Sequence, residues 1–349
     1  MKKIKDNIEI NGTKLRKLYI KNYKMFQDFS MDFTFEDKPL PIIILAGING
    51  SGKTTLLEYI IDNRNFVEDD NWLEVEDSKG DIYNTKDYIF TIDGIYAKVY
   101  EHIESIKNIE KELVRFWYNQ VKFHNKRNNE ITEVLQEFIS DIFNGLKFDF
   151  NYSYIDEADN IFFQNKKNAK FRINELSTGE QTLLTKVLYL FLKNYKNKVI
   201  LIDEPELSLH PSLQNRVLKI YENFATKNNC QIVIATHSPH IIGSAKNEYI
   251  QLLKQDDDKI VVIRDIERSY GLEFEDILTD IMDIENIRTP DVAKDINRVW
   301  ELIKDENYES SEYKILYNNL KEILGDLDKD MVLFRLEIAR IKSRNAKSK

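Results

Sequence analysis

The sequence predicts an α/β fold with a mainly parallel central sheet, an inserted helical lobe and a C-terminal helical region, and three observations carry that prediction. Three short apolar runs, Ile42-Ile43-Ile44-Leu45, Val199-Ile200-Leu201-Ile202 and Ile232-Val233-Ile234-Ala235, are rich in β-branched residues and do not alternate with polar ones. Runs of that kind form strands buried on both faces, the habit of a parallel sheet covered by helices. Each run ends on a polar cluster, GINGSGKT, DEPE and THSP in turn. In an open α/β sheet the ligand lies beyond the carboxyl ends of the strands, so the three clusters are expected to meet. The third observation is that helical patterns follow the runs.

After the first run, Leu56, Leu57, Ile60 and Ile61 repeat at helical spacing. A helix with Leu183, Leu184, Val187, Leu188 and Phe191 on one face leads into the second strand, and Pro211 stands at a first helical position before Leu213, Val217, Tyr221 and Phe224. Residues 97–145 are charged and helical in pattern, and too short for a coiled-coil arm, which needs sustained heptads. A hairpin is expected at 248–264, turning at Asp256-Asp257-Asp258. Helices are then expected near Phe274–Ile284, from Pro290, over Glu312–Leu324 with Gly325 as the stop, and near Asp330–Ile341. The expected domains are a core over 1–96, a helical lobe over 97–150, the rest of the core over 151–265 and a helical region over 266–349.

The chain has 349 residues with 42% hydrophobic content, enough to bury a real core, so disorder is excluded. Its lone Cys230 and five histidines without zinc-ligand spacing exclude a disulfide scaffold and a cysteine zinc site, and point to a reducing cytosol. No signal peptide or membrane span is legible, which predicts a soluble, cytoplasmic protein with no membrane partner. A net charge of −9 argues against a surface coated in nucleic-acid-binding charge. Two basic patches survive the average. One holds Lys2, Lys3, Lys5, Lys14, Arg16, Lys17, Lys21 and Lys24 against Asp6 and Glu9; the other holds Arg340, Lys342, Arg344, Lys347 and Lys349. They read either as a solvated strand edge and a frayed tail or as DNA contacts.

The strongest chemical signal is Gly47-Ile48-Asn49-Gly50-Ser51-Gly52-Lys53-Thr54, which fits G-x-x-x-x-G-K-[ST] between an expected strand and an expected helix. The backbone of Asn49, Gly50, Ser51, Gly52 and the following Thr55 is expected to wrap phosphates, Lys53 to reach the β- and γ-phosphates, and Thr54 to ligate Mg²⁺. Asp203 is expected to hold the metal through water, and Glu204 to polarise the attacking water.

Leu176-Ser177-Thr178-Gly179-Glu180-Gln181 opens a helix before Asp203, and Thr236-His237-Ser238 ends the third strand. These four elements, in this order, resemble the ABC-type ATPases. The resemblance implies ATP and Mg²⁺ as cofactors, and a head-to-tail homodimer or higher oligomer in which Ser177 and Gly179 act on the nucleotide held by the other chain. Lys53, Thr54, Asp203, Glu204 and His237 then act in cis. Pro205-Glu206-Leu207-Ser208-Leu209-His210-Pro211 resembles the loop that crosses such an interface, with His210 either a contact or packing. Two departures stand out: Thr178 replaces the usual first signature glycine, and no Q-loop glutamine can be placed, since Gln120 and Gln136 fall inside helical patterns.

Leu18-Tyr19-Ile20-Lys21-Asn22-Tyr23-Lys24 resembles the N-terminal strand and turn of the chromosome-maintenance, RecF-like and overcoming-lysogenization-defect (OLD) branch, which implies that Lys24 approaches the nucleotide. The C-terminal 80 residues resemble the helical tail of small ATPases of anti-phage systems such as Septu, including retron-associated forms. What the resemblance implies is an ATP hydrolase that controls a separate effector, a nuclease encoded nearby, since no nuclease motif is legible in the chain. The alternatives are a RecF-like repair ATPase acting on DNA ends or gaps, a transporter subunit, and a nucleotide-sensing module that turns over poorly.

Overall fold

In a computed structural model, the structure describes residues 6–8, 10, 12–62, 70–90, 96–99, 106–146, 148, 150–207, 209–264, 266–282, 284 and 287–347. Of the residues singled out above, Lys2, Lys3, Lys5, Glu9, Ser208 and Lys349 lie outside them. The chain divides into two compact units, Met1–Ile277 and Leu278–Lys349.

The first unit runs through β1 (Thr13–Tyr23), β2 (Phe26–Asp32), β3 (Ile42–Ala46), α1 (Lys53–Ile61), β4 (Trp72–Asp77), β5 (Tyr96–Val99), α2 (Ile106–His124), α3 (Asn128–Ile142), β6 (Phe150–Ile155), β7 (Ile161–Asn165), α4 (Thr178–Lys193), β8 (Val199–Asp203), α5 (Pro211–Asn228), β9 (Gln231–Thr236), β10 (Ile250–Asp256) and β11 (Lys259–Ile263). The main sheet has the order β5-β8-β9-β3-β10-β11, parallel throughout except for the β10–β11 hairpin. Every residue of β3 and β9 is buried, as the unbroken apolar runs require. The hairpin turns at Asp257, which takes φ 51°.

Register decides what the sheet presents. Asp203 pairs with Ala235 and Thr236 pairs with Ala46, so β8, β9 and β3 end level with one another. The three polar clusters therefore leave the sheet at one edge. A second, antiparallel sheet of β2, β1 and β4 with Ile82–Asn84 adjoins the first, its β2 packing on β11.

Helices α2 and α3 occupy 106–124 and 128–142 of the charged segment expected to be helical, with Leu113, Ile131, Leu135 and Ile139 turned inward. Its beginning differs: Ala97–Val99 belongs to β5, because the parallel edge of β8 offers it a ladder of backbone hydrogen bonds. The β6–β7 hairpin was not legible either. Its Phe150 and Phe163 pack with each other and with Phe171 of the following short strand, Lys170–Phe171, at ring separations of 6.0–6.4 Å. In place of one helix near Phe274–Ile284 there is a short turn, Phe274–Asp276, followed by a π-helical turn over Ile277–Ile281. A widened turn of this type is an inserted residue in an α-helical path, invisible to a 3.6-residue period.

The second unit holds α6 (Pro290–Lys304), α7 (Ser311–Leu324) and α8 (Lys329–Lys347). Pro290 occupies the first turn of α6, and Gly325 ends α7 at φ 82°. Val299, Ile303, Leu320, Met331 and Phe334 form its core. Arg288 holds Asp328 at 2.8 Å and Asp330 at 2.7 Å, tying the segment before α6 to the start of α8. No helix among the described residues is long and apolar enough to cross a membrane.

Candidate functional site

The loop leaving β3 is shaped by two glycines. Gly47 takes φ 152°, and a Cβ there would stand 2.6 Å from the carbonyl oxygen of Leu253 and from Ser51 Oγ. Gly52 takes φ 88° as the N-cap of α1, and a Cβ would stand 2.8 Å from Met25 Sδ and 2.9 Å from the buried ring of Phe26. Neither position admits a side chain without moving the β1–β2 turn or β10. Because Gly52 has no side chain to cap α1, the first N–H groups of the helix remain for an anion.

Lys53 lies 5% exposed with its Nζ donating to the carbonyls of Gly47 and Ile48, each at 2.9 Å. Burial pushes its pKa below the ordinary lysine value, against the charges of Glu204, Asp203 and Glu206. An ammonium buried beneath a glycine loop, facing three carboxylates, is matched by a polyphosphate that brings negative charge to its open side. The Ser51 hydroxyl is buried with no hydrogen-bond partner among the described residues, a second group that a ligand atom would satisfy. Thr54 is exposed on the first turn of α1, Thr55 is half-buried behind it, and Asn49 and Gly50 are exposed at the tip of the loop.

Asp203 closes β8, and Glu204 follows with φ 45°, its backbone N–H donating to the carbonyl of Ala235 on β9. That turn carries the Glu204 carboxylate across to β9, where Oε1 lies 2.9 Å from His237 Nδ1. The structure thus brings together the loop at 47–54, the acids at 203–204 and His237. Among the described residues no three or more His, Cys, Asp or Glu side chains form a cage for a metal ion. A magnesium ion held by one carboxylate, a threonine hydroxyl, waters and phosphate oxygens needs none, so Asp203 and Thr54 fit it.

One residue of the cluster was missed in the sequence. Glu206 is 4% exposed; its Oε1 accepts from Thr236 Oγ1 at 2.6 Å and from the His237 N–H at 3.2 Å, and lies 3.7 Å from His237 Nδ1. Burial pushes its carboxyl above the ordinary value, opposed by the bonds from Thr236 and His237. The signal was a third acid within four residues, but a run of acids after a strand does not say which of them faces inward.

Ser177 and Gly179 do not join this cluster. Ser177 caps α4 in a reciprocal box, its Oγ donating to Glu180 Oε2 at 2.6 Å, and it remains exposed. Gly179 packs against α5, where a Cβ would meet Leu213 Cδ1 at 2.2 Å. His210, read as either a contact or packing, is an exposed cap of α5: its Nδ1 accepts from the Ser212 N–H at 3.3 Å. Lys24 is exposed in the turn joining β1 and β2 at φ 51°, its Nζ 5.2 Å from the Tyr23 ring, while Met25 and Phe26 next to it abut Gly52. Gln136 donates to the carbonyl of Tyr152 at 2.8 Å, and Gln120 is half-buried on α2.

A family described as "AAA ATPase domain" matches residues 14–142, and one described as "AAA domain, putative AbiEii toxin, Type IV TA system" matches residues 103–243. The chain is similar to the Septu protein PtuA of Bacillus thuringiensis, 26% identical over 59% of this chain and 57% of that protein. It is similar to the retron Ec83 probable ATPase of Escherichia coli, 25% identical over 67% of this chain and 45% of that protein. To the OLD nuclease of Thermus scotoductus it is 25% identical over 62% of this chain and 36% of that protein. It spans about half the length of the first two of these relatives. The SMC head domain from Thermotoga maritima superposes with a TM-score of 0.45 at 17% identity, over 72% of this chain and 98% of that one.

Proposed function

We propose that this chain, an OLD/SMC-like ATPase related to anti-phage proteins, binds and hydrolyses ATP with Mg²⁺ in a head-to-tail dimer and thereby controls a separate nuclease. The observation that carries the reading is the Glu204–His237 pair, 2.9 Å apart, at the strand edge where Lys53 is buried under its glycine loop.

In this reading Lys53 and the N–H groups of the loop and of the first turn of α1 bind the phosphates, and Thr54 with Asp203 would hold a magnesium ion, which would supply positive charge beside the phosphates. Glu204 accepts the proton of the attacking water. His237 turns its Nε2 toward the γ-phosphate, to which it donates when both ring nitrogens carry a proton, since Nδ1 is engaged by Glu204. The exposed Ser177 at the N-terminus of α4 supports a role for Ser177 and Gly179 toward a nucleotide on a second chain.

Control of a nuclease rests on likeness. Relatives carry the names Septu, retron and OLD nuclease, and the shared segment is 36% of the OLD nuclease. That proportion supports an ATPase segment that serves cutting chemistry located elsewhere. The test is to express the tagged chain from its native operon and identify what copurifies with and without ATP. A stoichiometric nuclease supports the reading. A bare dimer that binds DNA in an ATP-dependent, salt-sensitive manner moves it to the repair alternative.

A further inference from the structure

We propose that Glu206 is a positioning residue, whose buried Oε1 fixes the Thr236–Ser238 segment and so holds His237 Nδ1 toward Glu204. The inference rests on the reading of Glu204 and His237 given above and adds a residue to it.

Glu204 and Glu206 come from one tight loop. The left-handed turn at Glu204 and the bond from the Leu207 N–H to the carbonyl of Glu204, 3.1 Å, curl the chain around Pro205. Two carboxylates two residues apart, which share a face in an extended strand, both reach the end of β9 through this curled loop. Their tasks differ. The Glu204 carboxylate hydrogen-bonds the imidazole of His237, whereas Glu206 Oε1 takes the Thr236 hydroxyl at 2.6 Å and the His237 backbone N–H at 3.2 Å, with the ring nitrogen 3.7 Å away. One oxygen atom thus fixes the peptide of the same histidine and lies near its ring nitrogen.

The same segment is tied from its far side. Ser238 donates from its backbone N–H to Thr236 Oγ1 at 2.9 Å and from its hydroxyl to Gln214 Oε1 at 2.7 Å, and Gln214 donates to the carbonyl of Leu209 at 3.1 Å. The loop from β8 to α5 and the end of β9 therefore form one hydrogen-bonded body, in which Glu206 is the side chain bonded to both Thr236 and the His237 peptide.

Retaining a carboxylate there is costly. Glu206 Oε2 is buried with no hydrogen-bond partner among the described residues, and burial opposes the charge. A site selected for stability alone is filled more cheaply by an apolar or neutral side chain, so the acid points to a positional task. A carboxylate accepts without donating, so an Nδ1–H pointing at Glu204 and Glu206 is the tautomer the pair selects, leaving Nε2 on the outer side.

The experiment uses the full chain and two readouts. The first is ¹⁵N NMR of the histidine side chains in nucleotide-free protein, with His237 assigned by its alanine variant. The second is ATP turnover beside nucleotide affinity. In Glu206→Ala, His237 should leave the Nδ1–H tautomer, and kcat should fall roughly 10²-fold, the scale of losing a placement held to about 1 Å, with nucleotide affinity kept within about threefold. Glu206→Gln, which keeps an acceptor oxygen, should recover part of that loss. Thr236→Val, which removes one donor to Oε1, should lower kcat in the same direction and covers the case in which Glu206→Ala does not fold. The proposal is overturned if His237 keeps its tautomer in the variants, or if their kcat equals that of the parent while Glu204→Gln is impaired. Should Glu204→Gln be unimpaired as well, the reading of the site fails, and the NMR result still decides the role of Glu206.

Discussion

His237 Nδ1 meets Glu204 Oε1 at 2.9 Å across two neighbouring parallel strands, although 33 residues of chain separate the two. The pairing of Asp203 with Ala235 sets this meeting, because it brings Glu204, the residue after β8, level with Thr236 and so one residue from His237. A shift of one residue in register would turn the side chains to the opposite face.

The first expectation concerns Glu204. Glu204→Gln should keep ATP bound and lower turnover by roughly 10²–10⁴-fold, the range for losing a positioned acid–base group. Single-turnover hydrolysis measured beside equilibrium nucleotide binding checks it, and unchanged turnover would remove Glu204 from the role.

Complementation tests the two-chain geometry. Lys53→Ala should lose nucleotide affinity, and Ser177→Arg should block productive dimerisation while leaving binding to a single chain intact. Neither should hydrolyse ATP alone. A mixture should regain part of the activity through the composite site that joins an intact loop to an intact signature, and a mixture without any recovery contradicts the trans arrangement.

Gly52→Ala should destabilise the first unit and weaken nucleotide binding together. The added Cβ meets Met25 Sδ and the buried Phe26 ring, and an alanine at φ 88° is strained by about 1–3 kcal/mol. Denaturant unfolding gives the first quantity and titration with a nucleotide the second.

The Glu206 carboxyl supplies a pH test. Burial raises its pKa, so the folded chain holds this proton to higher pH than the unfolded chain does. Where the folded state binds more protons, stability falls as pH rises, in this case from the ordinary carboxylate value through the raised one. Glu206→Gln should lack that fall. Comparing unfolding free energies of the two proteins between about pH 4 and pH 8 isolates the difference, and parallel curves would refute it.

The second unit should behave in the opposite sense. Burial works to raise the Asp328 carboxyl, but the hydrogen bond and charge of Arg288 and the Asp330 N–H outweigh it and hold the group below its ordinary value. Its stabilising contribution is therefore present above the unfolded carboxylate pKa and lost as pH falls through the lowered one. Arg288→Met should flatten this acid limb, read from the fluorescence of Trp300, which packs on Phe334 in the same unit.

Much of this architecture was legible in the sequence, and for local reasons. A strand of β-branched residues, a proline at the first turn of α5, a glycine after α7 and a lysine that follows three glycines in six residues each act within a few residues of chain. The sequence by itself thus determined which strands are buried, where they end and which residues leave those ends. Only the tertiary structure decided that Glu206 is the buried acid, that His210 caps a helix, that Gly179 lies against Leu213 and that Ala97–Val99 joins the sheet instead of the helical lobe. Those outcomes depend on burial and pairing partners supplied by segments distant in the chain. A carboxylate carries no mark in its own sequence of whether water or a neighbouring strand will surround it.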